Sequence, residues 1–158
     1  MAAFTEPDHD WMQAALLLAD KAGREGEVPV GAVLVRKGEL VGQGWNRNIA
    51  LNDPSAHAEI VALRDAGRQL GNYRLPDCVM YVTLEPCAMC VSAAIHARLA
   101  GLVFGASDPK TGALGGAYCL TAIHQHNHEL KFSGGLLAED AAVLLRSFFG
   151  LRRKQNVS

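Results

Sequence analysis

The sequence predicts an α/β fold, a three-layer α-β-α sandwich around a central, mixed, five-stranded sheet. Three observations predict it. Short apolar, β-branched runs alternate along the chain with segments of helical periodicity, which implies a sheet covered on both faces. The first two strands follow one another through a tight turn, so at least one pair is antiparallel and the sheet is mixed. The chain is 158 residues long with 49% hydrophobic and 20% charged residues, which suits one domain over 1–158 with a core that needs no disulfide staples.

Each element has its own signal. Residues 8–23 place Trp11, Ala15, Leu18 and Ala19 near helical spacing and read as an amphipathic helix. Val30 to Val35 is a continuous apolar run, as in a buried strand. Arg36-Lys37-Gly38-Glu39 is a turn, and Leu40 to Trp45 completes a hairpin. Asp53-Pro54-Ser55 is a helix-start signal for a helix over about 56–70. Val79 to Leu84 is the third strand. Glu85-Pro86 then opens a helix running to about Arg98, with proline suited to its first turn. Leu102 to Gly105 is a short strand, 107–118 a loop, Leu130 to Phe132 an edge strand and 136–153 the last helix.

Composition excludes several classes of function. The formal net charge is −1, so any polyanion binding must come from a local patch. No apolar run approaches the ~20 residues of a membrane span. The N-terminal MAAFTEPDHDW carries acids where a signal peptide carries lysines. The expectation is a cytoplasmic protein, whose four cysteines are metal-binding, catalytic or buried thiols.

Two clusters carry chemistry, each at a predicted helix start: His57-Ala58-Glu59 and Pro86-Cys87-Ala88-Met89-Cys90. Cys87 and Cys90 share a helix face at i, i+3, near the positive helix end that lowers a thiol's pKa. Two thiolates and an imidazole form a nitrogen–sulfur set suited to zinc. His57, Cys87 and Cys90 make three ligands, and three ligands plus a water is the pattern of catalytic rather than structural zinc. Glu59 is then the candidate proton carrier. Positions two apart on a regular helix diverge, so spacing leaves open how both His57 and Glu59 reach one metal.

His-Ala-Glu followed by Pro-Cys-x-x-Cys is an established signature of the zinc nucleobase deaminases. The likeness extends to Glu27-Val28-Pro29-Val30-Gly31-Ala32-Val33, Gly44-Trp45-Asn46-Arg47, Asp53-Pro54-Ser55-Ala56-His57-Ala58-Glu59-Ile60, Tyr81-Val82-Thr83-Leu84-Glu85-Pro86-Cys87 and Asp108-Pro109-Lys110-Thr111-Gly112. From about Trp11 to Arg153 the chain resembles the bacterial tRNA-specific adenosine deaminases of the cytidine/deoxycytidylate deaminase superfamily. That resemblance implies a cytidine-deaminase-like fold, one zinc per subunit and hydrolysis of the wobble adenosine of a tRNA anticodon loop to inosine and ammonia. Zinc-bound hydroxide would attack C6, with Glu59 carrying the proton to N1 and then to the departing amine. It further implies substrate contacts from Asn46, the Ala58 backbone, Asp108, Lys110 and the last helix, and a homodimer. Around 123–128 the chain reads Ile-His-Gln-His-Asn-His where relatives carry a His-Pro-Gly type turn before Asn-His.

Blander readings stand beside these. A structural zinc would need a fourth ligand from Cys78, Cys119, His96 or the histidines of 124–128; such a chain would be a binding module without catalysis. A deaminase of free cytidine, guanine or another small heterocycle would share the zinc and Glu59. Residues 146–158 hold Arg146, Arg152, Arg153 and Lys154 and no acid, with Phe148 and Phe149 interleaved. Phe149, Arg152 and Arg153 are candidate contacts to single-stranded RNA. Cations offsetting the helix dipole are the alternative.

Overall fold

The computed structural model describes residues 3–123 and 126–156. The elements run α1 (Glu6–Arg24), β1 (Gly31–Arg36), β2 (Glu39–Trp45), α2 (Ala58–Leu70), β3 (Cys78–Leu84), α3 (Ala88–His96), β4 (Gly101–Ala106), α4 (Leu120–Ile123), β5 (Lys131–Gly134) and α5 (Ala138–Asn156). The five strands form one sheet in the order β2-β1-β3-β4-β5. β1 is antiparallel to both β2 and β3, and β3-β4 and β4-β5 are parallel. The expected mixed, five-stranded α/β architecture is the one observed.

Strand alternation builds the layers. Ala32, Leu34, Met80, Val82, Leu102 and Phe104 point to one face, where α2 and α3 supply Ala58, Ala62, Ala66, Val91 and Ala94. Val33, Val35 and Tyr81 point to the other, against Met12 and Ala15 of α1 and Leu136 just before α5. Each large side chain buried this way contributes about 1.5–3 kcal/mol of transfer free energy. The Tyr81 hydroxyl donates to Asp8 at 2.6 Å, tying the start of α1 to the central strand. Thr5 and Asp8 form a capping box that sets where α1 begins.

The hairpin closes through Lys37 and Gly38, both at positive φ (51° and 77°), the geometry of a two-residue type I′ turn. β2 lies close under α2. A Cβ at Gly42 or Gly44 would collide with helix backbone at Ala58, Ala62 and Ala66, so glycine at these positions is what seats the start of α2.

The four predicted helices each start about two residues from the sequence expectation, α1 earlier and α2, α3 and α5 later. α2 begins at Ala58 because Asp53 Oδ1 accepts from both the N–H and the hydroxyl of Ser55, which commits 53–55 to a turn before the helix. α3 begins at Ala88 and ends at His96. Pro86 lies outside the helix, and its carbonyl accepts from the Ala113 N–H instead of a helical partner. Arg98 sits at φ 62°, past the helix end. The short α4 interrupts a stretch in which the sequence shows no helical periodicity.

Candidate active site

The two motif clusters meet on the α2/α3 side of the sheet. His57 is the N-cap of α2 with extended backbone (φ −69°, ψ 155°), and Cys87 is the N-cap of α3, also extended (φ −77°, ψ 175°). Neither side chain caps its own helix, so both are free to point at a common centre. Here lies the answer to the two-residue spacing. His57 is outside the helix and Glu59 is inside it, and the change of backbone conformation between them turns both side chains to one place.

His57 Nδ1 stands 3.6 Å from Cys87 Sγ and 3.5 Å from Cys90 Sγ. The three donor atoms all lie within 4.8 Å of one another. Tetrahedral zinc with Zn–N near 2.05 Å and Zn–S near 2.3 Å requires N···S separations of about 3.6 Å. The geometry therefore fits zinc without rearrangement. Among the described residues this is the one cluster able to hold a metal ion.

Among the described residues no other candidate for a fourth ligand, His96 included, joins this cluster. Cys119 Sγ contacts the Thr121 hydroxyl, His126 Nε2 the Leu120 carbonyl and His128 Nε2 the Leu99 carbonyl. Cys78 is buried at the start of β3. His124 lies outside the described residues.

Electrostatics match the donor set. The hydrogen bond with Cys90 holds the Cys87 thiol down to about 4, with His57 assisting against burial. The same bond, followed by burial, pushes Cys90 up. The Cys87 contact raises His57 against burial. Burial pushes the Glu59 carboxyl up, and Glu59 is 4% exposed. A carboxyl raised in this way is suited to carrying a proton at neutral pH.

His57, Glu59 and Cys87 line a cavity of about 210 Å³, with Val28, Val30 and Leu84 as apolar wall and Asn46 as a polar one. That is below the ~300–1,000 Å³ of drug-sized sites and suits a single flat base. Asn46 is buried, and its Oδ1 accepts from the Ala58 N–H at 2.8 Å. The Ala58 N–H is thus engaged inside the protein, and the Asn46 Nδ2 hydrogens are the donors left for a ligand. Asp108 reaches the cavity rim. Its Oδ1 accepts from the N–H groups of Lys110 and Thr111, and its Oδ2 from the Thr111 hydroxyl, which leaves Lys110 exposed at the loop tip.

Phe149, Arg152 and Arg153 do not line the cavity. Phe149 and Arg153 are exposed. Arg152 is turned onto the protein itself, donating to the Gly26 carbonyl at 2.9 Å with its guanidinium 4.8 Å from the Phe148 ring centre.

Two buried acids, Glu85 on the cavity wall and Glu27 beside its lining residue Val28, have no role assigned from the sequence. Glu27, 3% exposed, accepts from the N–H groups of Ile49 and Ala50. Glu85, 2% exposed, accepts from four donors of the 107–116 loop. Burial works to raise Glu85, but N–H bonds from Asp108, Gly116 and Leu114 outweigh it and hold the carboxyl low. For Glu85, a lone acid at the end of an apolar strand is the signal that could have found it, because a buried carboxylate must be paired; Glu27, in the charged stretch 24–27, carries no such signal.

The family model for the cytidine and deoxycytidylate deaminase zinc-binding region matches residues 5–106. A tRNA-specific adenosine deaminase of Haemophilus influenzae is 49% identical over 96% of this chain and 88% of its own length. A solved structure from work on A-to-I editing by tRNA deaminases at the wobble position of transfer RNA superposes with a TM-score of 0.81. It shares 42% identity over 86% of this chain and 99% of that one. A guanine deaminase of Bacillus subtilis shares 36% identity over 66% of each chain, with a TM-score of 0.62.

Proposed function

We propose that this chain, which belongs to the cytidine and deoxycytidylate deaminase family and within it to the tRNA-specific adenosine deaminases, hydrolyses the 6-amino group of adenosine at the wobble position of a tRNA anticodon loop. The products are inosine and ammonia. One observation carries the reading: a zinc-spaced His57, Cys87 and Cys90 set beside the buried Glu59, at the wall of a cavity sized for one base.

His57 Nδ1 and the two sulfurs hold zinc, which when bound supplies the Lewis acidity that makes water nucleophilic at neutral pH. Glu59 would take a proton from that water and deliver it to purine N1 while the water oxygen bonds to C6. Glu59 would then pass the second proton of that oxygen to the amino nitrogen as the C6–N bond breaks and ammonia leaves, so one water is consumed per ammonia released. Asn46 orients the base through Nδ2, its Oδ1 being fixed by Ala58. Val28, Val30 and Leu84 exclude bulk water from the reacting face. Asp108 and Lys110 on one loop, and Phe149 and Arg153 on α5, meet the RNA outside the cavity.

The enzyme works as a homodimer in the cytoplasm. Met89, Tyr118 and Ile123 are exposed apolar side chains that a second subunit would cover, and among the described residues no helix is long and apolar enough to cross a membrane. The test is ammonia and inosine release from an adenosine-containing anticodon stem-loop. Turnover should require the stem-loop. Equal or better turnover of free guanine or a free nucleoside assigns the chain to the small-heterocycle deaminases that the B. subtilis likeness represents.

A further inference from the structure

We propose that Glu85 is a positioning residue for substrate: its carboxylate locks the 107–116 loop against the metal corner and so fixes where Asp108 and Lys110 meet the RNA. The substrate named here rests on the proposed function; the locking of the loop does not.

Glu85 Oε1 accepts from the Ser107 hydroxyl at 3.0 Å and the Asp108 N–H at 2.9 Å. Oε2 accepts from the Leu114 N–H at 2.9 Å and the Gly116 N–H at 2.8 Å. An ionised carboxylate offers about four lone-pair sites, and all are taken. The donors come from both ends of the loop, so one side chain draws its two limbs together. Gly112 and Gly116 pack directly on the carboxylate, where a Cβ at either position would collide with it. The backbone closes the same joint: the Glu85 N–H donates to Ala106 and the Ala113 N–H donates to Pro86. The next residue is Cys87. A four-residue segment, 84–87, thus carries a cavity wall, the loop anchor and a metal ligand.

Glu85 borders the cavity, as Glu59 does. Its lone pairs, unlike those of a proton carrier, all face the protein. It acts on substrate through the loop, whose tip is held in turn by Asp108 accepting from Lys110 and Thr111.

Glu85→Gln is nearly isosteric but keeps a single acceptor oxygen, which strands loop N–H groups on the other side. Amide hydrogen exchange at Asp108, Leu114 and Gly116 should rise at least about tenfold while α2 and α3 amides hold, with zinc still one per chain. Unchanged exchange overturns the loop lock, and loss of zinc shows that Glu85 supports the metal corner instead. RNA binding is measured in the inactive Glu59→Ala background. There Glu85→Gln should weaken the anticodon stem-loop about tenfold or more. Lys110→Ala should add nothing further, because both changes act through one loop. Additive losses overturn the positioning role. A Glu59→Ala parent that fails to bind the stem-loop overturns the proposed function and the RNA half of this inference, leaving the exchange result to decide the lock. Should Glu85→Gln fail to fold, Gly116→Ala presses on the same joint with Glu85 intact and must reproduce both effects; normal binding by that variant overturns the proposal.

Discussion

The start of α2 and α3 and the end of α5 both carry residues singled out for function, yet they behave differently. At the helix starts every chemical side chain converges: His57, Cys87 and Cys90 within one coordination sphere, with Glu59 buried beside them. Along α5 the cations diverge. Arg152, Arg153 and Lys154 are all exposed, but Arg152 is held by Gly26 and the Phe148 ring. Metal chemistry demands donor atoms at set distances, so a motif there implies a geometry. Electrostatic attraction demands only proximity, so a basic segment does not say which of its members are free.

The largest expected effect comes from breaking the convergent corner. Cys87→Ala removes one of three ligands and should leave the protein without bound zinc. Activity should fall at least ~10⁴-fold, since water with a pKa near 15.7 replaces one brought near 7. Wild type should carry about one zinc per chain by metal analysis, and a fully active Cys87→Ala protein would sink the assignment.

Glu59→Ala should separate chemistry from metal. The expected loss is about 10²–10⁴ in kcat with zinc and fold retained, the range typical of general acid–base help. Metal content measured beside rate decides the matter: zinc lost along with activity makes Glu59 a ligand.

How much of this was legible in the sequence follows from the range of the interactions. The strands and the helices rest on local periodicity and match to within two or three residues. The three-ligand set was legible because its spacing is a chemical signature. The shape of the first turn of α2 was not, because it depends on Asp53 closing a turn on Ser55 and on Gly44 admitting the helix. Glu27 and Glu85 hold partners 22–31 positions away, and Arg152 holds one 126 positions away. Nothing in a window of ten residues reports such contacts.

Asn46→Asp probes the border between the two behaviours, a polar group inside the cavity but outside the metal set. The substitution keeps an acceptor for the Ala58 N–H and removes the Nδ2 donor. A site deprived of one buried donor to its ligand loses about 1–3 kcal/mol, or roughly 5- to 150-fold in kcat/KM. Zinc content should stay at one per chain. Unchanged kcat/KM would confine Asn46 to holding Ala58 in place.

The smallest effects should distinguish the α5 cations from one another. Arg152 makes one hydrogen bond and one ring contact within the protein. A hydrogen bond of this kind is worth about 1 kcal/mol net, and in a chain of this length that shifts Tm by about 2–4 °C. Arg152→Ala should therefore lower Tm by a few degrees while leaving the salt dependence of stem-loop binding as it was. Arg153→Ala with Lys154→Ala should do the reverse. Both side chains are exposed, so Tm should hold, but each lost phosphate contact removes about 0.7 from the slope of log K against log salt for a single strand. Because such contacts bind ground state and transition state alike, the loss should appear in kcat/KM, with kcat at saturating RNA nearly unchanged. Equal salt slopes for the double variant and wild type would leave Arg153 and Lys154 with the helix dipole. A reduced slope for Arg152→Ala would instead show that RNA draws Arg152 off Gly26, making the clasp a feature of the free enzyme alone.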